Sequence, residues 1–260
     1  MPNSRSSTVR RGSALAAAVV LLASSAVVLA AGGAVDPRFA EPADNDVGNQ
    51  DSLRRGAANF MNYCSGCHSA KYVRYNTLAS GLGLTEQQVM DNLMFTGEKI
   101  HDTIQVNMPA DDAARWFGKT PPDLSLIARS RGSDYIYNFL RSYYVDESRP
   151  TGVNNMVIEK VAMPNVLWEL QGVRKAFFKE EIDDNGNPHE VFDSFEVVTA
   201  GSLSPEEFDQ WVRDTVNFLD YIAEPMQLQR RSIGIKVLLF LAFFFVIAYL
   251  LKKEIWKDVK

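Results

Sequence analysis

The residues best suited to chemistry are Cys64, Cys67 and His68, in the stretch CSGCH. On a helix, the spacing of the two cysteines puts both sulfurs on one face, about one turn apart. Two thiols so placed can form thioether bonds to the two vinyl groups of one porphyrin, while the adjacent imidazole binds the iron. C-x-x-C-H is the attachment signature of a c-type haem, so this stretch predicts one covalent haem c.

Other uses of the same motif are a chance match, a redox-active dithiol or half of a zinc site. A zinc site needs a second pair of ligands, and the other histidines, His101 and His189, are far apart in the sequence. A thioredoxin-like dithiol needs a βαβ context, which the sequence does not show, and it leaves His68 unexplained. The chain has only these two cysteines, so no structural disulfide competes for them. Haem attachment is therefore favoured.

A second axial ligand decides between an electron carrier and a catalyst, because an iron bound by one histidine alone keeps an open site. Several of the eight methionines are set aside because they lie outside the predicted core, too close to the motif or in an apolar helical pattern: Met1, Met226, Met61, Met90 and Met94. Met108, Met156 and Met163 remain, and a stiffening proline follows Met108 and Met163. His101 and His189 lie in polar, loop-like sequence without an evident orienting partner.

Helical patterns predict the elements on the N-terminal side. Asp51 or Ser52 is the predicted N-cap of a helix that runs to the haem motif. Thr85 caps a second predicted helix over residues 84–95, whose apolar side chains recur at helical spacing. Residues 96–125 have a loop-like composition.

Two more helical pieces are predicted over residues 124–127 and 134–144, separated by residues 129–132. The second piece is rich in aromatic residues, which usually indicates core packing, although aromatic rings also line flat porphyrins. Apolar segments on both sides of the turn at 183–188 predict a small β-hairpin. A capping box at Ser204 then begins a helix.

The two ends of the chain carry targeting patterns. Residues 1–34 combine a basic start, an apolar run and small residues, which predicts a signal peptide; an uncleaved anchor helix is the alternative. The apolar run within residues 231–253 predicts one transmembrane helix. With the haem motif exported, we expect residues 35–230 in the periplasm, outside a bacterial inner membrane. Residues 254–260 are then in the cytoplasm.

The exported part is acidic. Residues 31–225 contain 17 basic and 30 acidic side chains, a formal net charge of −13. Such a surface repels nucleic acid and attracts basic protein partners in a salt-dependent way. Solubility alone is an equally simple explanation of the charge.

Taken together and in order, a set of longer motifs resembles the cytochrome c1 family. They are CSGCHSAKYVRY at 64–75, PPDLS at 121–125, LIARSRGSDY at 126–135, RPTGV at 149–153, VAMPNVLWELQG at 161–172 and AEPMQLQRR at 223–231. The resemblance covers most of residues 50–253. It implies a mainly α, class I cytochrome c-like fold with insertions, including the small β-hairpin, and one C-terminal transmembrane helix.

The resemblance also implies a function. The family provides the haem subunit of the ubiquinol–cytochrome c reductase (bc1) complex, alongside the cytochrome b and Rieske iron–sulfur subunits. We therefore expect an electron carrier that accepts electrons from the Rieske subunit and delivers them to a soluble basic cytochrome c. The chain would not be an enzyme on its own.

The site residues follow from the same resemblance. It selects Met163 as the sixth ligand, together with His68 as the fifth. It implies that a backbone carbonyl near Pro122 accepts the second N–H of His68, and that Arg131 meets a haem propionate. Tyr135 is a further candidate for the pocket.

Two other functions stay open on the sequence. One is a stand-alone, membrane-tethered cytochrome c that feeds an oxidase. The other is a haem sensor or enzyme whose sixth site is open. Co-purifying subunits and carbon monoxide binding distinguish these from a bc1 subunit.

Overall fold

The computed structural model describes residues 40–182 and 186–258. The predicted signal peptide, residues 1–34, lies outside them, as does the centre of the predicted hairpin turn. The helices in chain order are α1 (Gln50–Tyr63), α2 (Tyr75–Gly81), α3 (Glu86–Asn92), α4 (Ala110–Phe117), α5 (Ile127–Arg131), α6 (Ser133–Arg141), α7 (Trp168–Gln171), α8 (Pro205–Ala223) and α9 (Gln227–Ile255).

The strands form small antiparallel pairs. They are β1 (Ala70–Arg74) with β2 (Thr103–Ile104), β3 (Tyr143–Val145) with β4 (Val153–Asn155), and β5 (Gly172–Ile182) with β6 (Pro188–Ala200). The last pair is the predicted hairpin, and both strands are longer than the sequence indicated. The predicted mainly helical fold with a small hairpin is confirmed.

The core is built on the contact between α1 and α8. Gly56 lets the two backbones approach, because a Cβ there would overlap the carbonyl oxygen of Asp214 and the Cβ of Phe218. One turn further on, the rings of Phe60 and Phe218 lie 5.7 Å apart, both fully buried. This contact fixes the direction in which α1 delivers the haem motif.

Helix starts follow their capping residues. The predicted capping box at Ser204 is present, and the predicted cap Thr85 also forms a capping box, with Gln88. The start of α1 differs from the prediction: Asn49, not Asp51 or Ser52, is the N-cap, and its side chain accepts a hydrogen bond from the Ser52 N–H at 3.1 Å. Asn, Asp and Ser are all good caps, and only the backbone conformation decides among neighbouring ones.

The loop-like prediction for residues 96–125 was wrong in part, because α4 lies inside it. Pro109 occupies the N-cap position of this helix, and Gly118 ends it with φ 78°. Proline before a helix and a left-handed glycine after it are ordinary boundary signals.

The two helical pieces that follow also have shifted boundaries. The chain breaks only at Gly132 (φ 90°), so α5 continues through Arg131. Residues 143–144, predicted as helix, belong to β3, where Tyr143 pairs with Asn155. Aromatic side chains suit a strand as well as a helix, and tertiary pairing decided.

Helix α9 follows Pro225 after a single intervening residue. Among the described residues it is the one helix long and apolar enough to cross a membrane, and none of its apolar window is buried against the rest of the chain. It begins at Gln227, before the predicted span, and ends at Ile255, after it.

The close approach at Gly56 gives a testable expectation. Gly56→Ala puts a methyl group against backbone that cannot move aside, so we expect the free energy of unfolding to fall by about 1–3 kcal/mol. Urea unfolding of the detergent-solubilised protein, followed by circular dichroism, measures it. Gly234→Ala in α9 is the matched control, because nothing lies within 4 Å of its added Cβ; equal stability of the two variants would contradict the packing argument.

Candidate haem-binding site

The C-x-x-C-H motif forms a tight turn directly after α1. The Cys64 N–H donates to the Phe60 carbonyl at 2.9 Å, which continues the helical pattern. The Cys67 and His68 N–H groups then both donate to the Cys64 carbonyl, at 3.1 and 2.8 Å. This folding back brings both sulfurs and the imidazole to one cavity wall.

A hydrogen bond fixes the ring of His68. Its Nδ1 lies 2.7 Å from the carbonyl oxygen of Pro122, and a carbonyl only accepts, so Nδ1 carries the proton. Burial lowers the pKa of His68, against the opposing effects of this hydrogen bond and the charge of Asp123. The lowered pKa favours the neutral imidazole, and with the proton on Nδ1 the free electron pair is on Nε2, the form that binds metal.

The segment that supplies this carbonyl is tied to the chain just after the motif. The Leu124 N–H donates to the Ser69 carbonyl at 2.8 Å. Asp123 accepts from the Lys71 N–H at 2.9 Å, and Ser125 accepts from the Tyr72 N–H at 3.1 Å. This series of bonds sets the position of the Pro122 carbonyl against the His68 ring.

The cavity itself has a volume of about 340 Å³, within the usual range for ligand sites. All the residues predicted for the site line it: Cys64, Cys67, His68, Pro122, Arg131, Tyr135 and Met163. The other candidate ligands Met108, Met156, His101 and His189 all lie in the described part of the chain, and none of them lines this cavity. Most remaining wall residues are apolar.

The two cysteines are free thiols, not a disulfide. Burial, and the proximity of Cys67, raise the pKa of the Cys64 thiol to about 12. Within the described ranges, no group of three or more His, Cys, Asp or Glu side chains is placed to hold a metal ion, so a second ligand pair for zinc is not found there. Paired thiols, an oriented imidazole, a thioether and an apolar wall together fit a haem c.

The mouth of the cavity carries positive charge. Arg131, at the end of α5, is exposed, and its guanidinium carbon lies 5.6 Å from the centre of the Tyr135 ring. Burial raises the pKa of Tyr135, while the nearby Arg131 opposes the shift. Lys119 and Lys160 also line the cavity. Cations at the edge of an apolar pocket suit the carboxylates of a porphyrin.

A model of the Cytochrome C1 family matches residues 45–259, which is most of the chain. The chain belongs to the cytochrome c1 family. The match includes both the haem motif and the Met163 segment.

Among the curated relatives that resemble this chain, two of the following three carry a c1 name. The chain is 50% identical over 219 residues to cytochrome c1 of Allochromatium vinosum, covering 84% of this chain and 89% of that protein. It is 40% identical to the ammonia monooxygenase gamma subunit of Nitrosomonas europaea, over 82% of this chain and 86% of that protein. It is also 28% identical to cytochrome b/c1 of Bradyrhizobium diazoefficiens, over 87% of this chain and 38% of that protein.

Membership in the cytochrome c1 family makes this chain an electron-transfer subunit of a cytochrome bc1 complex, and not an enzyme by itself. The sequence did not predict several residues of the cavity wall: Tyr63, Phe117, Ile127, Ile136, Phe139 and Leu219. The aromatic richness of α6 was the signal available for Phe139. The sequence could not tell which aromatic residues of α6 line the cavity. Tyr137, on the same helix, is fully buried but does not line it.

Proposed function

We propose that the chain holds one haem c, attached through Cys64 and Cys67 and ligated by His68 and Met163. The supporting observation is that these side chains, from two segments far apart in the sequence, line one apolar cavity. When bound, the haem supplies a one-electron couple at its iron. The protein supplies the ligands, their orientation and the exclusion of water.

Each ligand has a separate task in this proposal. The Pro122 carbonyl keeps His68 in one tautomer and one ring orientation, and makes it a better donor. The thioether of Met163 is a soft, neutral ligand, which raises the reduction potential. With both positions filled from the protein, the site carries electrons and binds no substrate.

Arg131 and Tyr135 act at the mouth of the cavity. A guanidinium can meet a carboxylate through two parallel hydrogen bonds, so Arg131 is suited to a haem propionate. The Tyr135 ring beside it limits the directions that the guanidinium can take. Both residues would help to fix the edge of the haem.

The partners follow from membership in a bc1 complex. We expect the Rieske iron–sulfur subunit to deliver electrons, cytochrome b to share the membrane, and a soluble basic cytochrome c to accept the electrons. The charge of −13 on residues 31–225 supports a basic acceptor. The long apolar helix α9 supports a single-pass membrane anchor. We expect this anchor to lie in the bacterial inner membrane, with the haem domain in the periplasm and the C-terminus in the cytoplasm.

Mild detergent extraction tests this assignment. A bc1 subunit co-purifies with a cytochrome b and a Rieske protein, whereas a stand-alone carrier that feeds an oxidase does not. Carbon monoxide separates the third possibility, because only a sensor or enzyme with an open sixth site binds it in the native reduced protein.

Covalent attachment predicts that acid–acetone extraction leaves the haem colour with the polypeptide. The double variant Cys64→Ala, Cys67→Ala should lose this colour, since both thioether bonds are gone. Haem staining of a denaturing gel measures it against the native protein. A double variant that remained a normally folded protein with acid-stable haem would rule out the attachment.

The ligand assignment predicts different behaviour for two methionines. Met163→Leu keeps side-chain volume but removes the thioether. We expect loss of the near-infrared sulfur-to-iron charge-transfer band, a lower potential and new binding of carbon monoxide to the reduced protein. Met108→Leu is the control and should change none of these. A band that survives in Met163→Leu and disappears in Met108→Leu would reverse the assignment.

The acidic surface predicts a salt-dependent reaction with a basic cytochrome c. The bimolecular electron-transfer rate should fall as ionic strength rises, because charges are screened beyond about 10 Å at 0.1 M salt. Stopped-flow measurements over a salt series record this. A rate that is indifferent to ionic strength would show that the charge does not steer the partner.

A further inference from the structure

The segment that carries Met163 has little regular structure of its own. Between the end of β4 at Asn155 and the start of α7 at Trp168, the chain runs through bends and turns. Pro164 has no N–H to donate. A thioether is an uncharged ligand without a covalent link to the haem, so something else has to hold this segment, here called the methionine loop (residues 156–164), against the cavity.

Asn155 connects the methionine loop to α6. Its side chain is 2% exposed, and its Oδ1 accepts from the N–H groups of Val157 at 2.9 Å and Ile158 at 3.3 Å. The same oxygen accepts from the Ser142 hydroxyl at 3.0 Å. Its Nδ2 donates to the carbonyl of Phe139 at 2.8 Å, a residue of the cavity wall. One buried amide thus ties the first residues of the loop to the wall.

Asn154 binds the methionine loop a few residues further along, at Lys160. Its side chain is 6% exposed, and its Oδ1 accepts from the Lys160 N–H at 2.9 Å. Lys160 has a left-handed backbone (φ 59°), which is uncommon for a residue with a side chain. The Nδ2 of Asn154 donates to Asp146 at 2.9 Å. The sharp reversal just before Val161 and Met163 is therefore fixed from inside.

A third contact reaches the ligand residue itself. The Tyr143 hydroxyl donates to the Met163 carbonyl at 3.3 Å, and Tyr143 is 2% exposed. Its ring packs edge-on against Phe139 with 5.5 Å between centroids. Tyr143 pairs with Asn155 in the β3–β4 sheet, so the groups form one connected unit.

We infer that Asn154, Asn155 and Tyr143 are positioning residues that keep the Met163 thioether at the haem. This inference rests on the proposed function, because it takes Met163 as the sixth ligand. The reason is energetic: the two asparagine oxygens accept partly buried hydrogen bonds from three backbone N–H groups of the loop, and an N–H that loses its acceptor costs free energy. The loop therefore has one favoured arrangement while these amides are present. Without them, the loop would open more often and leave the iron open to added ligands.

The central test is Asn155→Ala in the full-length protein. The rate of carbon monoxide binding to the reduced form reports how often the thioether leaves. We expect this rate to rise about tenfold, the factor that corresponds to the net free energy of about one hydrogen bond, and the charge-transfer band to weaken.

Asn138→Ala is the matched control. Asn138 is 1% exposed, and its side chain makes comparable bonds to Glu41 and to the Asp134 carbonyl, but it does not line the cavity. It should lower the unfolding midpoint and leave the carbon monoxide rate unchanged. An equal rise in both variants would overturn the inference, since the effect would then be general destabilisation.

Tyr143→Phe provides a second variant that keeps the buried ring and removes only the hydroxyl. We expect a change in the same direction, of a few-fold. If Asn155→Ala does not yield folded protein, Tyr143→Phe decides, and a native rate in it would reject the inference. Met163→Leu separates an error in the ligand assignment from an error in this inference. If its charge-transfer band is unchanged, Met163 is not the ligand. If the band is lost while the positioning variants behave as the native protein, only the inference fails.

Discussion

The turn that places Cys64, Cys67 and His68 on one wall is the constraint on which the site depends. Its position is set by α1, which is locked to α8 through the close contact at Gly56. A charged pair adds to this contact, because Arg55 donates two hydrogen bonds to the buried carboxylate of Asp214, at 2.6 and 3.0 Å. Bidentate pairs of this kind fix geometry as well as energy.

Helix α6 links the cavity to the rest of the domain. One side carries the wall residues Tyr135 and Phe139, and the buried Tyr137 lies between two cations. The Tyr137 hydroxyl accepts from Arg141 at 2.7 Å and from Arg213 at 2.8 Å, and it donates to Asp209. Burial and the bond to Asp209 raise the pKa of Tyr137 to about 12, so the phenol stays protonated.

The same network holds the chain that precedes α1. Arg141 pairs with Glu41, and Arg213 donates to the carbonyls of Pro42 and Ala43 at 3.0 and 2.8 Å. The polar segment before α1 is thus bound, from Glu41 to Asp46, to α6 and α8. At the other end, Glu224 binds Arg230 of α9 and lies 3.7 Å from Arg129 of α5. Helix α5, which lines the cavity, and the membrane anchor α9 therefore both interact with the Glu224 carboxylate.

The sequence by itself determined whatever depends on neighbouring residues. The haem motif, the capping boxes at Thr85 and Ser204, the hairpin and the apolar α9 are all local patterns, because spacing along the chain fixes spacing in space within one element. The exact ends of helices, such as the caps around α1 and α4, were harder to predict. Several adjacent residues can serve as a cap, and the backbone conformation selects one of them.

Only the tertiary structure decided which distant residues meet. Residue chemistry alone left Met108, Met156 and Met163 open, and a family resemblance was needed to prefer one. The fold brings Met163 to the cavity of His68 and leaves the other two elsewhere. Asn154 and Asn155 had no sequence signal at all, because an asparagine in a turn is common and its meaning lies in which N–H groups it accepts from. Those partners are set by packing across the domain, which no local pattern encodes.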